Sequence, residues 1–548
     1  VSRIDGQFVL FPTYAQRDTS DLNLILGGRR EAINMIEVDA KQVSEDTAAQ
    51  AVQEGHKAIR QVCDLIDELV AKCGVPKEIE LCELEPALSN EVHQACFEPL
   101  YKAYKIIGKA ERNQAVSDIA KSLSETYCKA DKARCTEVEL RRILEIVQRK
   151  AVRKLLLEGR RPDGRKYDEI RPISCEVGIL PRSHGSALFT RGETQALVTC
   201  TLGTGRDEQI VDGLMEEYGQ GFMLHYSFPP FSVGEVKPAR GPGRREIGHG
   251  ALAEKSLEQL RPAKEIFPYT IKINSDITES NGSSSMASVC GGCLAMMDAG
   301  VPMELPVAGI SVGLVSDGDK YELLTDIIGD EDHFGDMDFK ISGTEKGVTA
   351  IQLDIKAEGL PHNIMVAAME KARQARLKIL AIMKQAIDKP RAQLSIYAPK
   401  IVIIKIDPEY IGKVIGPSGK NVKAIQEQTG SRVEIEEDGT IAISCVGGNG
   451  HLAARDMIEA MTTPPQVGRI YQTAKVVSVK DFGVFVEFAP GIEGLCHVSE
   501  LAESYVKNIE TVCKLGDVIP VKLLAIDDQG RFKLSRKAAL AELNKATS

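Results

Sequence analysis

The sequence predicts a multidomain α+β protein on three observations. Residues 20–40 (SDLNLILGGRREAINMIEVDA) lie over residues 335–355 (GDMDFKISGTEKGVTAIQLDI) at a constant offset of 315, so the chain holds two copies of one α/β unit. Lys109 to Glu158 contains neither Gly nor Pro and is rich in Ala, Leu, Glu, Lys and Arg, the mark of several packed helices. Beyond residue 398, short β-branched runs alternate with glycine-bearing turns in two small units. A chain of 548 residues is in any case too long for one hydrophobic core.

In chain order, residues 1–75 form the back half of the first α/β unit. About 20 residues precede the shared segment there, against about 170 in the second copy, so the chain is expected to open inside its first domain. Residues 76–158 are expected to be all-helical, ending where Arg-Arg-Pro-Asp-Gly-Arg (160–165) supplies turn chemistry. Residues 159–392 form the complete second α/β unit. In both copies a polar loop and a long amphipathic helix follow the repeat, at 44–72 and 361–388. Residues 398–462 form a small β-rich and helical unit. After Thr-Thr-Pro-Pro (462–465), with Pro464 and Pro465 as linker, residues 467–538 form a run of short strands.

The 68 Lys and Arg against 78 Asp and Glu give a formal charge of -10, which excludes a chain-wide basic surface for gripping nucleic acid. Any nucleic-acid site must be local. The 13 Cys are irregularly spaced in a chain that needs no staples, so reduced thiols in an intracellular compartment are expected. Cys290-x-x-Cys293 lacks a second pair or a suitably spaced His and reads as small-residue helix packing, not zinc. The most apolar stretch, 289–315, is interrupted by Asp298 and Glu304, and no basic-then-apolar leader is visible. Neither a membrane span nor a signal peptide is expected.

Three clusters in the second unit carry chemistry. Gly-Asp-Glu-Asp-His-Phe-Gly-Asp-Met-Asp-Phe-Lys (329–340) crowds five acids between Asp330 and Asp338, tolerated in water or around a hard cation such as magnesium. Asp336, Asp338 and Lys340 alternate with Met337, Phe339 and Ile341, so a strand places the charges on one face and the apolar residues on the other. The first copy has Asp21, Asn23 and Ile25 at those positions, a loss of charge that a merely solvated face would seldom show. Glu-Ser-Asn-Gly-Ser-Ser-Ser-Met-Ala-Ser (279–288) runs into a helix start and offers hydroxyl and N–H groups to a phosphate, or is an ordinary cap. Lys-Pro-Ala-Arg-Gly-Pro-Gly-Arg-Arg (237–245) is a cationic loop suited to phosphate, or a solvated surface. Together they are the parts of phosphoryl or nucleotidyl transfer.

The C-terminal units point to RNA. Gly416-Pro417-Ser418-Gly419, followed by Lys420 and a helix-like stretch, matches the KH loop that clamps the backbone of single-stranded nucleic acid. In the last unit Phe482 and Phe485 can offer ring faces to bases, with His497 and Arg531 adding stacking or phosphate contacts; Asp527 belongs to the same candidate set. Basic and acidic residues nearly cancel beyond residue 400, so these units must bind through shaped sites.

With FMLHYSFPPFSVGE (222–235), RREIGHG (244–250), ESNGSSSMASVCGG (279–292) and GDEDHFGDMDFK (329–340) in this order, the whole chain resembles the polynucleotide phosphorylase family. The resemblance implies two ribonuclease PH-type (ribosomal S5 domain 2-like) α/β cores joined by an all-helical domain, then a KH domain and an S1-type OB-fold β-barrel. It implies processive 3′-to-5′ phosphorolysis of single-stranded RNA, reversible to polymerisation from nucleoside diphosphates. It places metal ligands on Asp332 and Asp338, the active-site lysine on Lys340, phosphate-binding serines on Ser283, Ser284 and Ser285, and active-site arginines on Arg244 and Arg245. The implied cofactor is magnesium, with manganese as a substitute, and the co-substrate is inorganic phosphate. Implied partners are two further copies in a ring-shaped homotrimer, and an endoribonuclease and a helicase of an RNA-degrading complex. With no leader visible, the bacterial cytoplasm is the expected location, with an organelle left open. Hydrolytic 3′-to-5′ cleavage, or RNA binding without catalysis, are the alternatives.

Overall fold

A computed structural model describes the chain except residues 80–82, 130–132, 215, 239–240, 319, 463–464, 490, 503–508, 528 and 547–548. Ala239 and Arg240 of the cationic loop, and Pro464 of the expected linker, therefore lie outside the described residues. The chain divides into two compact units, 1–398 and 399–548.

In the first unit the repeat is a repeat of structure. Hairpin Leu22–Gly28/Ile33–Val43 corresponds to Met337–Gly343/Val348–Ile355, with the inner strand of the first copy running three residues further. The two inner strands pair antiparallel, Ile351 opposite Val38 and Leu353 opposite Ile36. At the repeat offset Ile351 corresponds to Ile36 and Leu353 to Val38, so a local pseudo-twofold axis passes through the Gln352–Glu37 pair. The result is one eight-stranded sheet shared by both copies. Helices Glu45–Cys73 and His362–Ala386 follow the hairpins. Buried Ala51, Val52, Gly55 and Ala58 on one match buried Ala368, Met369, Ala372 and Ala375 on the other, mostly small residues that let each helix lie close to its neighbours.

A five-stranded sheet (Phe222–Ser227, Thr270–Glu279, Thr194–Gly203, Gly185–Arg191, Ile173–Val177) completes the second copy. Helix Ser284–Asp298 is buried at every residue and packs on strands of both sheets. Its composition explains this: a Cβ on Gly291 would meet Val198 at 2.6 Å, and one on Gly292 would meet Leu257 at 2.7 Å. Cys290 and Cys293 lie inside this helix, with Sγ atoms accepting from the N–H groups of Gly309 (3.4 Å) and Val307 (3.1 Å). Burial pushes the two thiols up to about 11 and about 12. They are packing residues. Among the described residues no helix is long and apolar enough to cross a membrane.

The Gly- and Pro-free stretch contains helices Lys109–Tyr127 and Glu137–Leu157, preceded by Pro86–Ala103. The last opens on a capping box, Thr136 with Glu139. Their core, built on Val92, Leu100, Ile143 and Val152, runs on into Val315, Leu324, Ile327 and Phe334, so the helices are seated against the second copy.

In the second unit, strands Pro399–Lys405, Thr440–Val446 and Arg432–Ile435 form an antiparallel sheet, with helices Ile411–Ile415, Lys420–Thr429 and Gly450–Thr462 against it. Strands Ile470–Lys480, Gly483–Ala489, Ile492–His497, Phe532–Ser535 and Val518–Ile526 close into a barrel.

Candidate active site

Strand Met337–Gly343 is buried on both faces. Ser342 donates to Ser256 Oγ at 2.7 Å, which turns Asp338, Lys340 and Ser342 toward helix Arg244–Glu258. Asp336 precedes the strand, pairs with Arg153 at 2.6 Å and accepts from the N–H and hydroxyl of Ser316 at 2.8 Å. Asp336 thus ties the helical segment to the core.

The acid cluster is also threaded with ion pairs. Each of its five carboxylates has its own organic cation: Asp330 with Arg112 (2.9 Å), Glu331 with Arg161 (2.6 Å), Asp332 with Lys356 (3.0 Å), Asp336 with Arg153 (2.6 Å) and Asp338 with Lys340 (2.6 Å). Besides water and a metal, crowded acids have this third solution, and three of the cations come from residues 112–161, far away in sequence. Among the described residues no group of three or more acids, His or Cys is arranged to hold a metal ion. Asp332 and Asp338 remain distinct from the other three. Asp338 Oδ1 is buried without a hydrogen-bond partner. Burial raises its pKa against the pull of Lys340, and the charge of Asp332 raises it further. Two carboxylates that repel each other, one with a bare buried oxygen, fit a hard divalent cation.

Lys340 Nζ also donates to Gln352 Oε1 at 3.3 Å and lies 3.6 Å from Asp354. Burial would lower its pKa; Asp338, Asp354 and Asp332 outweigh it and hold the ammonium charged. In the first copy Asn23 and Ile25 replace Asp338 and Lys340, and Ile25 is exposed.

The serine loop packs directly on the segment that carries Asp332. Gly282 has φ +91° and a Cβ there would lie 2.8 Å from Gly329 N and Ile328 C, so only glycine fits. Asn281 Oδ1 accepts from Gly329 N at 3.3 Å. Ser283, also left-handed, precedes helix Ser284–Asp298, and no side chain caps this helix N-terminus. The hydroxyls of Ser283 and Ser285 are buried without partners, whereas Ser284 Oγ hydrogen-bonds Tyr226 Oη at 2.7 Å. Two unpaired hydroxyls and an uncapped helix start are an anion cradle.

Tyr226 links loop and strand. Its ring stands edge-on to His249 at 5.4 Å, and burial pushes its hydroxyl up to about 12. His249, which the sequence reading gave no role, is depressed by burial and then by the positive charges of Lys340 and Arg245, down to about 3. The folded ring is thus neutral above about pH 3, while an unfolded ring, with the ordinary value of 6.5, takes up a proton below that pH. The stability contribution of this neutral ring is fully present above pH 6.5 and is lost as pH falls toward 3. Thermal unfolding of the parent protein is therefore expected to shift down more than that of His249→Gln between neutral pH and about pH 5. Parallel shifts would contradict the assignment. Arg245, exposed near the start of its helix, lies over the Phe228 ring at 5.2 Å; Arg244 is exposed at the first residue of that helix.

In the second unit the loop Gly416–Gly419 separates two helices, with Gly416, Ser418 and Gly419 at positive φ and Asn421 Nδ2 donating to Lys413 O at 2.9 Å. Pro417, Ser418 and Lys420 are exposed. On the barrel Phe482 is half-exposed and meets Phe485 edge-on at 6.4 Å. Phe485 lies opposite Leu495, which lies beside Lys533, and exposed His497 faces Gly483. Lys533 was missed in the sequence, although its alternation with buried Leu534 marks it as outward-facing. Asp527 accepts from Arg531 Nε at 2.8 Å and from the N–H groups of Gln529 and Arg531, so it anchors the turn that presents Arg531.

The family described as 3′ exoribonuclease family, domain 1, matches residues 169–302, and its domain 2 matches residues 1–58. The polyribonucleotide nucleotidyltransferase RNA binding domain matches residues 87–166, the KH domain 401–460 and the S1 RNA binding domain 465–537. A polyribonucleotide nucleotidyltransferase of Geobacillus kaustophilus is 49% identical over 547 residues, covering 99% of this chain and 75% of the relative. One of Anoxybacillus flavithermus is 48% identical over 548 residues, covering 100% of this chain and 78% of the relative. One of Listeria welshimeri is 48% identical over 544 residues, covering 98% and 75%.

Proposed function

The chain belongs to the polyribonucleotide nucleotidyltransferase family, and on that premise we propose that it shortens single-stranded RNA processively from the 3′ end by phosphorolysis. The observation that carries this reading is the direct packing of the serine loop, through Gly282, on the segment that bears Asp332, with Tyr226 and His249 joining it to Lys340. This packing of the serine loop beside the segment that bears Asp332 supports a single site for phosphate and cation.

Ser283, Ser285 and the first-turn N–H groups hold inorganic phosphate, and Ser284 fixes the cradle through Tyr226. An oxygen of that phosphate attacks the 3′-terminal phosphodiester; the bond to the 3′ oxygen of the preceding nucleotide breaks, and a nucleoside diphosphate leaves. Asp332 and Asp338 would hold a divalent cation, magnesium or manganese, whose chemistry is to stabilise charge on the scissile phosphate. Lys340, held charged by its carboxylates, neutralises the departing oxygen or supplies its proton. Arg244 and Arg245 bring positive charge to the RNA backbone. A phosphodiester is exchanged for a phosphoanhydride, so the reaction runs near balance and adds nucleotides when diphosphates are abundant.

The KH loop, with Lys420, clamps backbone, while Phe482, Phe485, His497 and Arg531 stack on or contact bases and phosphates. Phe485→Ala is expected to weaken RNA binding by about 1–3 kcal/mol, read by filter binding, with phosphorolysis of saturating RNA preserved. An unchanged affinity would remove Phe485 from the set. A homotrimer in the bacterial cytoplasm, with an endoribonuclease and a helicase as partners, completes the reading; the relatives' bacterial sources support the location. The test is RNA shortening with and without phosphate: dependence on phosphate is expected, and shortening without it would favour hydrolysis.

A further inference from the structure

We infer that Asp326, Arg171 and Arg191 are positioning residues for inorganic phosphate, holding the serine-loop carbonyls inward so that its N–H groups face the substrate. This rests on the phosphorolytic reading above. Three successive carbonyls of the loop are captured from one side: Asn281 O by Arg171 Nη1 (2.9 Å), Gly282 O by Arg171 Nη2 (3.4 Å) and Thr194 Oγ1 (3.2 Å), and Ser283 O by Arg191 Nη2 (2.8 Å). In a trans peptide the N–H points opposite to the C=O, so the N–H groups of Gly282, Ser283 and Ser284 are turned away from the guanidinium layer. Left-handed φ values at Gly282 (+91°) and Ser283 (+57°) accompany this arrangement. Successive N–H groups exposed on one side make an anion nest. Thr194 Oγ1 locks the loop a second way, accepting from Asn281 N at 2.9 Å.

The guanidinium groups are in turn fixed by one carboxylate. Asp326, wholly buried, lies 2.6 Å from Arg171 Nη2, 3.1 Å from Arg191 Nε and 3.4 Å from Arg165 Nη1. Arg165 has Asp163 as well, at 2.6 Å. Arg171 and Arg191 therefore share Asp326, and one buried positive charge behind the cradle has no carboxylate of its own. Arg191 is fully buried; its Nη1 has no hydrogen-bond partner, and its Nε, in ion-pair range of Asp326, is not aligned for one. Burial lowers Arg191 to about 10, which leaves it charged at neutral pH. A phosphate dianion in the cradle supplies the missing negative charge. Neither Arg171 nor Arg191 need touch the substrate for this.

Steady-state phosphorolysis by the full chain tests the inference, with phosphate and RNA varied separately. Arg191→Gln is expected to raise the KM for phosphate tenfold or more and leave the KM for RNA within twofold; Arg191→Lys, which keeps the charge, should recover most of the loss. A general structural defect would not separate the two substrates. Should Arg191→Gln fail to fold, Thr194→Val removes two loop contacts without altering charge, and a threefold rise in phosphate KM is expected. Phosphate KM values within twofold of the parent in the folded variants would overturn the inference alone. Absence of any phosphate dependence in the parent protein would overturn the phosphorolytic reading and the inference with it.

Discussion

Asp338→Asn is expected to lower the rate of nucleoside diphosphate release by roughly a thousandfold, the effect of removing a ligand of a catalytic cation. The carboxylate is buried, its Oδ1 has no protein partner and its Oδ2 lies 2.6 Å from Lys340. Asn keeps the volume but not the charge, so a bound cation would lose one of its two carboxylates, and Lys340 would keep Asp354, Asp332 and Gln352 as its remaining polar surroundings. Burial disfavours the Asp338 charge, but its removal also takes a partner from buried Lys340, so a thermal melt of the variant accompanies the rate to confirm that it is folded. RNA affinity should persist, since the KH loop and barrel belong to the other unit. Single-turnover release from labelled RNA, with filter binding as control, measures both. A variant retaining more than about a tenth of parental rate would contradict the assignment of Asp338.

Glu331→Gln is expected to destabilise the first unit by about 3–5 kcal/mol, the cost of leaving a buried charge without its partner. The Arg161 and Glu331 side chains are both fully buried and meet at 2.6 Å. Arg161 also donates to the carbonyls of Thr325 and Asp326 at 2.9 Å, and Glu331 accepts from Ile328 N at 3.0 Å. The pair thus holds the segment before Asp332 against residues 161–169. In a chain of several domains a single melting midpoint is not one free energy, so local amide exchange is the better measure. Peptides covering 160–170 and 325–334 should lose protection in the variant. Replacing both partners with apolar residues of similar volume should restore much of it. Unchanged exchange in Glu331→Gln would refute the role of the pair.

The repeat, the helical stretch, the KH loop and the serine loop were legible because each is local or periodic. Lys340 was legible by contrast with Ile25, a comparison internal to the chain. The partners of Asp336, which lies one residue before the strand, were not legible, because Ser316 and Arg153 are distant in sequence. The ion pairs of the other acids were not legible for a related reason: Arg112, Arg153 and Arg161 neutralise acids that follow them by 170 residues or more, and no spacing rule announces them. The layer of Asp326, Arg171 and Arg191 behind the serine loop was invisible for the same cause. Long-range ion pairing is a property of the fold.

The central claim is that inorganic phosphate is the attacking group. Incubation of unlabelled RNA with the full chain, divalent cation and ³²P-labelled inorganic phosphate tests it most directly. The account predicts nucleoside diphosphates carrying the label in the β position, one per nucleotide removed. Unlabelled nucleoside monophosphates, or RNA bound but not shortened, would contradict it.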